Sequence, residues 1–250
     1  MSATVLSGSR GGFLALMAVA GYCIIGLRAV PAGKRLGATV LVAVIMAAAG
    51  GDAYWSRIRT VLAPQEDYNY AGKDESGRME VWKRGAEYMA ERPVFGVGID
   101  QFDVAEGTLS PQARERALNN RGFRWTSPHN SYVQIGAELG VVGLLLFVLL
   151  LFKAFLEARR IGKTASTRQD QLLGQCLAAS FVGYTVGCTF LSQAYSTYLY
   201  FVVGILVVLS QIAPRRVRQR ATRMPADPRL AAANRAPSFA HLPGAPRNIR

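Results

Sequence analysis

The apolar residues of this 250-residue chain fall into long, nearly unbroken runs instead of recurring at a helical period. A run of about 17–21 apolar residues crosses a ~30 Å hydrocarbon core at ~1.5 Å per residue. Five runs of that kind cover residues 12–28, 36–53, 132–152, 172–191 and 195–212. They predict an all-α fold: a polytopic transmembrane helical bundle of about five spans, with one large, mostly helical extracytoplasmic loop and a disordered basic tail. The chain then divides into two N-terminal spans with a short cytoplasmic turn (1–53), an extracytoplasmic loop subdomain (54–131), three C-terminal spans (132–213) and a cytoplasmic tail (214–250).

Charge supports this division. The formal net charge of +13 would point a soluble protein toward an anionic partner. Here residues 52–131 hold 11 Lys/Arg and 12 Asp/Glu, whereas the rest holds 18 Lys/Arg against 4 Asp/Glu. The excess sits beside the apolar runs: Arg28, Lys34 and Arg35, then Lys153 to Arg168, then Arg215 to Arg223. Basic residues so placed orient a membrane protein with those segments inside, and nucleic-acid binding is rejected. Tyr54, Trp55, Trp125, Tyr132, Tyr195, Tyr198 and Tyr200 all fall at the expected outer interface, Tyr54 and Trp55 at the end of the second span. Gly136, Gly140, Gly143, Gly183 and Gly187 are read as helix-packing positions.

Cys23, Cys176 and Cys188 lie inside apolar runs and serve as small hydrophobes, neither disulfides nor a thiolate metal site. The first residues lack a secretory leader pattern. In the long loop, Ser76 to Arg92 reads as a helix capped by Ser76, with Met79, Trp82, Ala86 and Met89 on one face and Pro93 as its stop. The Pro93–Ile99 stretch that follows is a turn bringing backbone close to a neighbour. The tail from Pro214 is rich in Arg, Ala and Pro, and is expected to be disordered with its arginines on anionic lipid.

Few residues are placed for chemistry. His129, one of two histidines, follows Pro128 and precedes Asn130 at the start of the third span. A near-neutral pKa suits proton transfer, and the helix N-terminus favours an anion. A satisfied structural histidine is the competing reading. Glu138 shares a helical face with Ser131 and Gln134, about 10 Å along the helix at 1.5 Å per residue. A carboxylate at that depth faces a bundle interior, in a structural ion pair or in a direct role. Arg10 stands at the mouth of the first span, and Arg78 opens the loop helix one turn before Trp82. Guanidinium forks suit phosphate, so two arginines and a histidine can hold a diphosphate and handle one proton. No P-loop, dinucleotide fingerprint, nucleophile elbow or His/Cys cluster with metal spacing occurs, which leaves no metal or cofactor expected.

Three stretches together resemble the O-antigen ligase and O-antigen polymerase superfamily. They are Ser9-Arg10-Gly11 entering a span, Arg78-Met-Glu-Val-Trp82 with Arg92-Pro-Val-Phe-Gly-Val-Gly98, and His129-Asn130-Ser-Tyr-Val-Gln with Glu138-Leu-Gly140 and Gly143. The resemblance covers roughly residues 5–152. It implies a multi-pass protein of the bacterial inner membrane that transfers a glycan from a polyprenyl-diphosphate carrier to an acceptor hydroxyl, on lipid A–core or a growing polysaccharide, at the extracytoplasmic face. Carried over by position, Arg10 and Arg78 would hold the diphosphate, and His129 would deprotonate the acceptor or orient donor and acceptor. Asn130 and Trp82 would support them, with Glu138 as an alternative base. Members of the superfamily have more spans than this chain shows, so an N-terminally shortened member is expected. A non-catalytic membrane partner and a transporter component with Glu138 on its path are the other functional readings.

Overall fold

A computed structural model describes residues 9–60, 77–119 and 125–223. Among these residues the secondary structure is helical, with no strand. In chain order the helices are α1 (Arg10–Gly26), α2 (Ala32–Ala49), α3 (Asp52–Arg59), α4 (Arg78–Glu91), α5 (Phe102–Thr108), α6 (Pro111–Leu118), α7 (Ser131–Thr164), α8 (Arg168–Cys188) and α9 (Thr197–Arg223).

Local chemistry sets most boundaries. The Ser9 hydroxyl accepts from Gly12 N at 3.0 Å to start α1, Ser110 accepts from Ala113 N at 3.0 Å to start α6, and Thr167 accepts from Asp170 N at 3.1 Å to start α8. Each satisfies a backbone donor that the helix start leaves free. Gly50 and Gly51 separate α2 from α3, which opens on Asp52 and closes on Arg57 and Arg59, matching the helix dipole at both ends.

The bundle is built on α7 and α8. Phe147, Leu151, Ala154, Ala158 and Ile161 of α7 share a buried cluster with Leu177, Ala178 and Phe181 of α8 and with Leu199, Val202, Leu206 and Leu209 of α9. Small residues let the two backbones meet: a Cβ on Gly174 would stand 2.9 Å from the Ala158 carbonyl oxygen. Helix α1 lies along α8, with Gly11 against Phe190 at one end and Ala29 N donating to Gln175 Oε1 (3.1 Å) at the other. The starts of α1, α7 and α9 therefore gather with the end of α8. Meanwhile Val142, Leu145, Leu146 and Leu149 of α7 and Leu36, Val40, Leu41 and Val44 of α2 point outward. An apolar exterior over a packed interior is what a lipid solvent requires.

Among the described residues two helices, α2 and α7, are long and apolar enough to cross a membrane. Helix α1 and the Thr197–Ala213 part of α9 are apolar but shorter. The five expected runs overlap α1, α2, α7, α8 and α9 with shifted boundaries, the second running on across a break into α3. Tyr54 and Trp55 do not end the second span; the glycine pair breaks the helix first and puts both rings on α3. Ser76 falls outside the described residues, and Gly77 stands at the cap of α4 without a side-chain bond. The buried face of α4 is Val81, Arg84, Gly85 and Tyr88, while Met79 and Ala86 are exposed. The apolar spacing misled because the inward face mixes Val81 and Tyr88 with a buried charge, Arg84, that finds its partner on another helix. Helix α9 continues past Pro214 to Arg223, into the segment expected to be disordered, since Arg, Gln and Ala favour helix.

Candidate functional site at the head of α7

Four pieces of chain meet where α7 begins. Helix α4 packs on the first turns of α7: Met89 lies on Gly136, and Gly85 admits both Val133 and Phe102. Beneath it, Val81, Tyr88, Phe102, Ala105 and Ala137 form a small core of their own. Arg84, 6% exposed, forks onto Glu106, 4% exposed, with Nε–Oε1 at 3.0 Å and Nη2–Oε2 at 2.7 Å. Tyr88 donates to the same carboxylate at 2.9 Å, and burial, then the Glu106 charge, push its phenol pKa well up. This bidentate pair fastens α4 to α5 away from water.

The Pro93–Gly98 turn closes on α7 itself. Gly140 interrupts the helix with φ 70° and ψ −170°, leaving backbone groups unpaired on either side. Val97 N donates to Ala137 O at 2.8 Å, Gly98 N to Glu138 O at 3.0 Å, and Val141 N to Pro93 O at 2.8 Å. Gly96 and Gly98 also have positive φ, and a Cβ on Gly96 would run into the Ala137 and Glu138 carbonyls. Thus the turn does approach a neighbouring backbone, as its composition suggested. Gly140 is a helix break and not a packing position; only glycine adopts that conformation without strain.

Glu138 sits inside this junction, 1% exposed. Its carboxylate accepts from the Tyr195 hydroxyl at 2.6 Å and from Phe102 N at 3.1 Å, with Gln134 Nε2 at 3.5 Å. Ser131, Gln134 and Glu138 do share a buried face. Its partners are a hydroxyl and amides, not the cation that the structural ion pair, one of the two readings of the sequence, would require. It joins α7 to the start of α5 and to the lead-in of α9.

His129 is placed differently, with its side chain exposed. Its φ is 47°, in the left-handed region that non-glycine residues seldom occupy. Three hydrogen bonds, shared between its two neighbours, hold it there. Trp82 Nε1 donates to the Pro128 carbonyl at 2.7 Å, and Asn130 Oδ1 caps α7 by accepting from Tyr132 N (2.9 Å) and Val133 N (3.1 Å). Backbone strain of this kind costs about 1–3 kcal/mol and persists where the surroundings over-determine it. Although the ring is exposed, partial desolvation and then the Arg78 charge push its pKa below the usual histidine value, while Asp103 pulls it back up. Asp103 is itself pushed up by burial and by Asp100, against the pull of His129. Arg78, at the first position of α4, and Asp103, on α5, thus stand within electrostatic reach of one imidazole.

Arg10 is at the same end of the bundle but on another element pair. Its Nη1 donates to the Thr60 hydroxyl at 2.8 Å, tying α1 to the end of α3. The next residue, Gly11, abuts Phe190; Leu191 then accepts from the Ser131 hydroxyl at 2.6 Å, and Ser131 opens α7. Of the expected site residues, His129, Arg78, Trp82 and Asn130 come together. Glu138 lies in a buried network beneath them, and Arg10 stands on the α1–α3 side. Sequence reading missed Asp103, although an acid one turn beyond the Gly-rich segment was a usable signal.

The arrangement offers an exposed imidazole, a guanidinium and a carboxyl group over a rigid junction. The family model for O-antigen ligase matches residues 2–148, more than half of the chain. The chain belongs to the O-antigen ligase family. Its relatives include the exopolysaccharide production protein ExoQ of Rhizobium meliloti (strain 1021), 28% identical over 88% of this chain and 50% of ExoQ. A Rickettsia conorii protein provisionally named a polysaccharide ligase is 28% identical over 35% of this chain and 21% of its own length. An uncharacterized Haemophilus influenzae protein is 22% identical over 79% of this chain and 51% of its own. The chain spans about half the length of ExoQ and of the Haemophilus protein. No solved structure matches it. The O-antigen ligase match contains α1, α4 and the head of α7, and so every one of the expected site residues.

Proposed function

We propose that this chain is a membrane glycan transferase that moves a glycan from a polyprenyl-diphosphate carrier to an acceptor hydroxyl on lipid A–core or a growing polysaccharide. The observation that carries the reading is His129, exposed on a fixed turn between Arg78 and Asp103. In the step proposed, His129 takes the proton of the acceptor hydroxyl. The acceptor oxygen forms a bond to the anomeric carbon as the bond from that carbon to the diphosphate oxygen breaks. Arg78, with Arg10, stabilises the charge that develops on the departing diphosphate. Asp103 stabilises the imidazolium, which then passes its proton to water or to the diphosphate.

Glu138 is assigned a positioning role: each of its carboxylate oxygens already accepts a hydrogen bond and its exposure is 1%. Five spans are proposed, with the His129 end extracytoplasmic in the bacterial inner membrane. The supporting asymmetry is that Arg28, Lys34, Arg35 and Lys153 to Arg168 all lie toward the other end of the bundle.

The test is surface glycan in cells whose own copy is replaced by the His129→Ala or Arg78→Ala chain. Loss of attached or extended glycan at normal protein level in the membrane is expected. Unchanged glycan in both variants would sink the proposal.

A further inference from the structure

At the end of the bundle away from His129, α1, α7 and α8 enclose a cavity of about 600 Å³. Its α7 residues, Phe155 to Lys163, lie roughly 36–48 Å from the head of α7, counting ~1.5 Å per residue along that helix. Three cations line it: Arg28 from the end of α1, and Arg159 and Lys163 from α7. None of its lining residues is a carboxylate. Of the two acids nearest in sequence, Glu157 is engaged by Arg160 at 2.6 Å and Asp170 is wholly buried, and neither lines the cavity. Like charges gathered without a counter-ion are unfavourable unless an anion joins them.

The cavity is also rigid. Gln175 closes its base, accepting from Ala29 N at 3.1 Å and donating to Gly162 O at 2.8 Å, so one amide fixes α1 and α7 to α8. The other wall is aromatic and apolar. Tyr22 meets Phe155 edge to face at 5.9 Å, and the Arg159 guanidinium carbon lies 5.5 Å from the Phe155 ring centre. Ile25 at the mouth is 73% exposed, continuous with the outward apolar surface of α1 and α7.

Cations beside exposed apolar surface match a molecule with a phosphate at one end and hydrocarbon at the other. We infer that this cavity is a binding site for the phosphodiester headgroup of an anionic glycerophospholipid, whose glycerol and acyl chains follow the Tyr22–Ile25 and Phe155 wall outward. A free phosphate would share the cations but leave that wall unused. This site is separate from the proposed chemistry at His129 and does not depend on it.

The experiment is native mass spectrometry of the full chain in mild detergent, titrated with phosphatidylglycerol, phosphatidylcholine or inorganic phosphate. A single phosphatidylglycerol is expected to bind at least about tenfold more tightly than phosphatidylcholine, and inorganic phosphate is expected not to displace it. Arg159→Gln with Lys163→Gln lowers that affinity about thirtyfold, equivalent to ~2 kcal/mol at ~1.4 kcal/mol per decade. Arg160→Gln, outside the cavity, leaves it unchanged. Equal binding of the two lipids by the unaltered chain, displacement by inorganic phosphate, or full retention in the double variant each overturns the inference. The first two outcomes need no variant to fold.

Discussion

Trp82 donates its indole N–H to the carbonyl of Pro128, so the residue before His129 is tied to the helix that begins at Arg78. The bond spans 46 positions of chain and fixes a turn whose next residue has positive φ. In Trp82→Phe the ring survives and the donor is lost, leaving a part-buried carbonyl unpaired. A cost of ~1–2 kcal/mol in positioning translates into a roughly tenfold loss of rate. Glycan transfer measured at matched protein level checks this; wild-type transfer would mean that the turn holds itself.

The charges around His129 predict a pH signature. Its pKa is displaced below the ordinary 6.5, first by desolvation and then by Arg78. Activity that needs the neutral ring is therefore present above that lowered pKa and falls as pH drops through it. Arg78→Gln removes a downward influence, so the acid limb moves to higher pH. Asp103→Asn removes an upward one and moves it lower. The readout is the shape of the pH–rate profile, independent of absolute rate. Limbs that stay in place in both variants would exclude His129 as the titrating base.

The broken helix predicts strict glycine requirements. A Cβ at Gly140 would collide with the Pro93 carbonyl, and φ there is 70°. Gly140→Ala should cost at least about 1–3 kcal/mol from backbone strain alone, before the clash is counted. Thermal unfolding of the purified chain reports it. Gly187→Ala, which has open space around it, serves as the comparison and should shift little.

The buried Arg84–Glu106 pair predicts a non-additive pair of substitutions. Losing either partner strands a buried charge and costs about 3–5 kcal/mol. Arg84→Met with Glu106→Leu removes both charges and should recover most of that loss. The same thermal measurement tests it, and strictly additive losses would argue against a coupled pair.

Much of the bundle was legible because apolar runs of membrane-crossing length have few alternatives. The head of the site was legible too, since Arg78 and Trp82 are one helical turn apart and His129 follows a proline at a helix start. Long-range pairing was not. Glu138 finds its closest partner, Tyr195, 57 positions away, and Arg84 finds Glu106 22 away, with no local pattern to announce either. Gly140 looked like a packing glycine because a helix break leaves the same apolar sequence on both sides. Asp103 went unread because an acid in a near-neutral loop resembles many solvated ones.

The most direct test of glycan transfer from a lipid carrier is to extract the carrier lipid from cells bearing His129→Ala. The account predicts that the glycan remains attached to polyprenyl diphosphate and accumulates there while the surface loses it. Carrier lipid free of accumulated glycan, with surface glycan at the unaltered level, would contradict it.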